Sequence, residues 1–82
     1  MKLNLLRGVT KTMYEFEKLI RNMPVTIGEL IRLSGVHEQT LTRMRKGERV
    51  QRASAAKVLH ALSEIYHKEY TLDNVTGIII QE

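Results

Sequence analysis

In the segment 38–46, Glu38, Gln39, Thr42, Arg43 and Lys46 carry groups that can read a nucleic acid. In a helix, successive residues turn by about 100°, so Gln39, Thr42, Arg43 and Lys46 project away from Leu41 and Met44. Each can hydrogen-bond to a base edge or a phosphate. An α-helix fits the major groove, where Gln matches adenine and Arg matches guanine. Glu38 is a further candidate: it can accept from a cytosine amino group, but it repels nearby phosphate, so it would discriminate more than attract. Between Arg43 and Lys57 six cations (Arg43, Arg45, Lys46, Arg49, Arg52, Lys57) face a single anion, Glu48. The rest of the chain has seven cations and eight anions, so the net charge of +4 originates here. Such a patch is the footprint of a polyanionic partner. A basic run alone is more often a solvated face; its coincidence with a reading helix favours the partner. Lys46, Arg49 and Arg52, with a helix N-terminus at Ser54, are placed to grip phosphates, and His37 stands where it can join them or merely border a turn.

Other chemistry is weakly supported. His60, Glu64 and His67 share one side of a helix that begins at Ser54, a spacing able to hold a metal, but that side lies opposite Leu62 and Ile65. An exposed trio lacks the surrounding groups that orient imidazole ligands, so a solvated surface is the expectation. No phosphate loop, Ser/His/Asp set or buried carboxylate pair can be identified, and neither an enzyme nor a cofactor is expected. Cysteine is absent, which excludes disulfides and thiolate metal sites and suits a reducing compartment.

Two short amphipathic segments around Ser34-Gly35-Val36 must position the reading side chains. Ile27, Leu30 and Ile31 recur at helical spacing. Thr26 precedes them as an N-cap, with Glu29 completing a capping-box pattern. Gly35 falls where a helix would end in a left-handed residue. The second helix places Leu41 and Met44 inward and stops at Gly47. Helix, Gly-centred turn and helix, over about 26–46, define a helix-turn-helix.

In LIRLSGVHEQTLTRMRKG the chain resembles the Cro/repressor, or xenobiotic-response-element, helix-turn-helix family of bacterial and phage regulators. Leu30, Gly35, Val36, Leu41, Met44 and Gly47 stand at that family's core and turn positions, and SAAKVLHAL over 54–62 looks like its fourth helix. The resemblance spans roughly residues 13–75. The pattern is broken at three places. Ile31 stands where a small residue is typical, and Ile27-Gly28 where a phosphate-contacting Gln often begins the helix. Arg45 stands where many members carry Glu, so their common Arg–Glu ion pair cannot form in that way. The resemblance implies an all-α, five-helix, lambda-repressor-like domain. It also implies a transcriptional regulator that represses by occupying an operator, usually as a dimer.

Eighty-two residues make one domain, 1–82, with a core near the lower limit for independent folding. With no Trp and one Phe, that core must be Leu, Ile, Val and Met. MKLNLLRG is too short and broken for a signal peptide, and no run approaches the roughly 18 apolar residues of a membrane span. A soluble, cytoplasmic protein without a membrane partner is expected. Residues 2–6 alternate weakly as a strand, with a basic arm (Lys2, Arg7, Lys11) as the rival reading. A first helix is expected over about 13–22, with Met13, Phe16, Leu19, Ile20 and Met23 inward, Thr10 or Thr12 capping and Pro24 ending it. Residues 47–53 read as a basic loop and Ser54 as the N-cap of the fourth helix. That helix turns Ala55, Val58, Leu59, Leu62, Ile65 and Tyr66 inward, and Thr71 caps a short turn after it.

The segment 77–81 reads as a strand because Ile78-Ile79-Ile80 is β-branched. So apolar a tail needs a cover: the Leu3/Leu5 stretch, in cis or across a dimer, or a partner's surface. Val75, Ile78, Ile79 and Ile80 are the expected dimer contacts, with Ile78 and Ile80 on one face and Ile79 on the other. The expected function is sequence-specific binding of double-stranded DNA by a homodimeric repressor. The main alternative is an antitoxin, in which the same core binds DNA and the tail or N-terminal arm holds a toxin. A protein- or RNA-contacting module is a third reading.

Overall fold

Four helices and four short strands organise residues 13–81, the part of the chain that the computed structural model describes. In order they are β1 (Tyr14–Glu15), α1 (Phe16–Asn22), α2 (Ile27–Ser34), α3 (Glu38–Arg45), β2 (Arg49–Gln51), α4 (Arg52–Tyr66), β3 (Val75–Thr76) and β4 (Ile79–Gln81). The expected strand over 2–6, the basic arm and the caps at Thr10 and Thr12 lie outside the described residues.

The first helix begins at Phe16 rather than Met13. The Tyr14 amide donates to the Asn74 carbonyl at 2.8 Å, and β1 pairs in parallel with β3, Tyr14 opposite Val75. Tertiary pairing thus takes two residues whose periodicity suits a helix, and Met13 is left 49% exposed. Phe16, Leu19 and Ile20 remain the buried face. The helix stops at Asn22 because Met23, preceding Pro24, is extended.

The helix pair follows its local signals. The Thr26 hydroxyl accepts from the Glu29 amide at 3.1 Å. The Glu29 carboxylate pairs with Arg32 instead of returning to Thr26, so half of the capping box forms. Gly35 is left-handed (φ 76°), and its amide closes the helix on the Ile31 carbonyl at 2.9 Å. After extended His37, α3 buries Leu41 and Met44. Residues 49–51 are a strand rather than a loop, since Val50 is buried between exposed Arg49 and Gln51 and pairs with Ile80. Consequently α4 starts at Arg52 with Gln51 at its N-cap, and Ser54 lies in the first turn.

The core gathers Phe16, Leu19, Ile20, Leu30, Leu41 and Met44 beneath Ala55, Val58, Leu59, Ala61 and Leu62 of α4, which packs chiefly against α2. Beyond α4 the five-helix expectation is replaced by an irregular return. His67 takes a left-handed conformation (φ 57°), and the Lys68 amide donates to the Ser63 carbonyl at 3.1 Å. The Ser63 hydroxyl accepts from the Tyr70 amide at 2.9 Å, and Tyr70 packs edge-on against both Tyr14 and Tyr66. Residues 71–74 form one turn, in which the Thr71 hydroxyl accepts from the Asp73 amide at 3.2 Å. The chain then becomes β3, turns at left-handed Gly77 against Phe16, and ends its description in β4 beside β2. Among the described residues no helix is long and apolar enough to cross a membrane.

Candidate nucleic-acid interface

The buried positions of α3 dictate what faces outward. With Leu41 and Met44 inside, Glu38, Gln39, Thr42 and Arg43 are all exposed and line one shallow, open depression. A second depression adjoins it through Arg43 and adds His37, Arg49, Gln51 and Ser54. The strand explains this second grouping, because alternation about buried Val50 turns Arg49 and Gln51 to the same outer side. The fold therefore gathers Glu38, Gln39, Thr42 and Arg43 beside His37, Arg49 and Ser54. Lys46 and Arg52 are exposed but line neither depression, and Ser54 is half-buried. Among the described residues Lys46, Arg49 and Lys57 make no ion pair.

Arg43 and Arg45 of the basic run are already engaged. Arg43 donates through Nη2 to the Arg49 carbonyl at 3.2 Å, and its Nε lies 3.5 Å from Oε1 of Glu48. Arg45 reaches back to α1, where its Nε and Nη2 donate to the two carboxylate oxygens of Glu17 at 3.1 and 2.7 Å. Hydrogen bonding from Arg45 holds the Glu17 carboxyl below the usual glutamate range, and the same pair raises Arg45. An ion pair of Arg45 thus exists, with a partner that the sequence did not single out. It fixes the C-terminal half of α3 against α1.

No family model, curated protein or solved structure matches this chain. Only its own geometry speaks for the surface. A planar guanidinium and a side-chain amide lie one helical turn apart on an exposed helix, flanked by cations. That arrangement can make bidentate contacts to base edges and monodentate contacts to phosphates. Nothing in it resembles a nucleophile with a base.

Elsewhere, Nε2 of His60 and Oε2 of Glu64 are 3.4 Å apart on the surface, and no three acidic, His or Cys side chains converge among the described residues. Of the four tail residues expected at a dimer contact, Val75 is buried in the core, and Ile78 and Ile80 pack onto it. Ile79 is 46% exposed, on the opposite face, and is the one of the four available to a partner. The sequence reading missed Glu48 as a partner of Arg43 and Gln51 as a member of the surface. The first had a signal, since it is the lone anion in a basic run.

Proposed function

We propose that this chain binds double-stranded DNA sequence-specifically, as a helix-turn-helix transcriptional regulator of the Cro/repressor type with α3 in the major groove. The observation that carries this is the exposed face of α3, where Gln39, Thr42 and Arg43, with Glu38 beside them, form one surface over a buried Leu41/Met44 seam. Base edges are recognised by Gln39, Thr42 and Arg43, with Glu38 excluding unsuitable neighbours. Lys46, Arg49 and Arg52 neutralise phosphates and set register, while His37 and Ser54 border the same groove wall. The regulator represses by occupancy. It acts as a homodimer, because one short helix specifies few base pairs against a genome of competitors, whereas two copies read half-sites about 34 Å apart.

Selection of bound duplexes from a random pool tests this reading. A recurrent, two-fold-symmetric site is the expected result. Arg43→Ala should then cost about 1–3 kcal/mol on that site and relax one base position per half-site. Equal weakening on selected and random duplexes would make Arg43 a phosphate ligand instead. Recovery of single-stranded RNA and no duplex would overturn the proposal.

A further inference from the structure

Glu48 has an unfavourable position for a simple DNA-binding surface: it is the single anion among the six cations between Arg43 and Lys57. Its carboxylate nevertheless lies beside Arg43, the residue best suited to guanine. Resting on the reading above, we propose that Glu48 is a positioning residue for base recognition, holding the Arg43 guanidinium in the orientation that reads guanine.

The geometry explains how. Arg43 has five N–H donors on a planar fork. One edge of that fork, formed by Nε and Nη2, faces two acceptors: Oε1 of Glu48 at 3.5 Å from Nε, and the Arg49 carbonyl at 3.2 Å from Nη2. The end edge, formed by Nη1 and the second Nη2 hydrogen, remains open. Guanine O6 and N7 ask for just such a pair of parallel donors.

The Arg49 carbonyl and the backbone that carries Glu48 are themselves anchored. The Glu48 amide donates to the Arg43 carbonyl at 2.9 Å, so the backbone of Glu48 is tied to α3. Arg49 begins β2, which is anchored by buried Val50 and paired with β4, Arg49 opposite Ile79. A long, rotamer-rich side chain is thereby held at two points before any ligand arrives. Less ordering entropy is then lost on binding, which is the physical content of preorganisation.

A cost accompanies this arrangement. A carboxylate beside the phosphates repels every duplex, whatever its sequence. Glu48 therefore lowers general affinity and raises discrimination, two effects that move in opposite directions when it is removed.

The test measures the affinity of Glu48→Gln and Glu48→Ala for the selected duplex and for random duplex at one salt concentration. Random-duplex affinity should rise a few-fold in both variants, because a negative charge is gone. The ratio of selected to random affinity should fall by about three- to ten-fold in Glu48→Ala, part of the full discrimination available to a bidentate pair. Glu48→Gln, which keeps an acceptor, should lose less. The relaxed base position should be the one that Arg43→Ala relaxes, an outcome that a general stabilising role would not produce. A ratio unchanged in Glu48→Ala, or a relaxed position different from that of Arg43, would overturn the proposal alone. Failure of the unaltered chain to select any duplex would overturn the DNA reading, and this inference with it.

Discussion

Removing the Glu17 carboxylate should loosen α3 from α1 and cost the domain about 1 kcal/mol. Two charge-assisted bonds, at 3.1 and 2.7 Å, join Glu17 to Arg45 in parallel, the stronger class of side-chain hydrogen bond. Both side chains are somewhat over a third exposed, at 36% and 37%, so water screens the attraction. Exposed pairs contribute about 0.2–1 kcal/mol, and two-point geometry places this one near the top of that range. In a domain of this length, about 1 kcal/mol corresponds to roughly 4–8 °C in Tm. Thermal unfolding of Glu17→Gln, Arg45→Gln and the double variant isolates the coupling. The pH dependence supplies a second reading. Glu17 has a folded-state pKa depressed chiefly by hydrogen bonding from Arg45, so its stabilisation is present above the unfolded value, about 4.3, and is lost as pH falls through the depressed value. The stability gap between the unaltered chain and Glu17→Gln should therefore be constant near neutrality and close in acid. A coupling below about 0.3 kcal/mol, or a gap that persists fully at about pH 2, would refute the reasoning.

Arg49→Ala should weaken selected and random duplexes alike and reduce the salt slope by about one unit; an unchanged slope in a salt titration would remove Arg49 from the phosphate contacts. His67→Gly should stabilise the domain by up to about 1 kcal/mol in denaturant unfolding, because a left-handed residue strains any side chain but not Gly, whose greater unfolded freedom offsets part of the gain. Ile79→Asp should convert a dimer to monomers by sedimentation without loss of helical signal, since Ile79 faces away from the core to which Ile78 and Ile80 are committed. A dimer of undiminished strength in that variant would place the contact elsewhere.

Local chemistry made the centre of this molecule legible. Thr26, Gly35 and the Leu41/Met44 spacing act within a few residues of themselves, so the helix pair and the outward face of α3 could be drawn from sequence, and the structure places them there. The long helix was equally visible through Val58, Leu59 and Leu62. What sequence obscured depends on distant partners. Tyr14–Glu15 and Arg49–Gln51 are too short to show strand periodicity, and they are strands because residues 75–81 lie beside them. Val75 looked like a spare apolar residue until that pairing carried it into the core. Glu17 and Arg45 likewise become partners only after α1 and α3 have met. The fifth helix failed for the same reason: a hydroxyl-capped turn at 71–74 had a strand, not another turn, waiting after it.

The two parallel strand pairs also order events in time. Parallel strands cannot be joined by a tight hairpin, so Tyr14 must await Val75, and Arg49 must await Ile79, across the whole of α4. Contacts of such sequence separation form late, because loop closure opposes them until the helices have collapsed. In a refolding chain α2, α3 and α4 can therefore pack while β1 and β2 still present bare edges. The backbone carbonyl of Arg49, which steadies Arg43, acquires its final anchorage only when residues 79–81 arrive. Without residues 79–81, α3 would keep its Leu41/Met44 packing, but the carbonyl that holds the Arg43 guanidinium would lose its neighbouring strand.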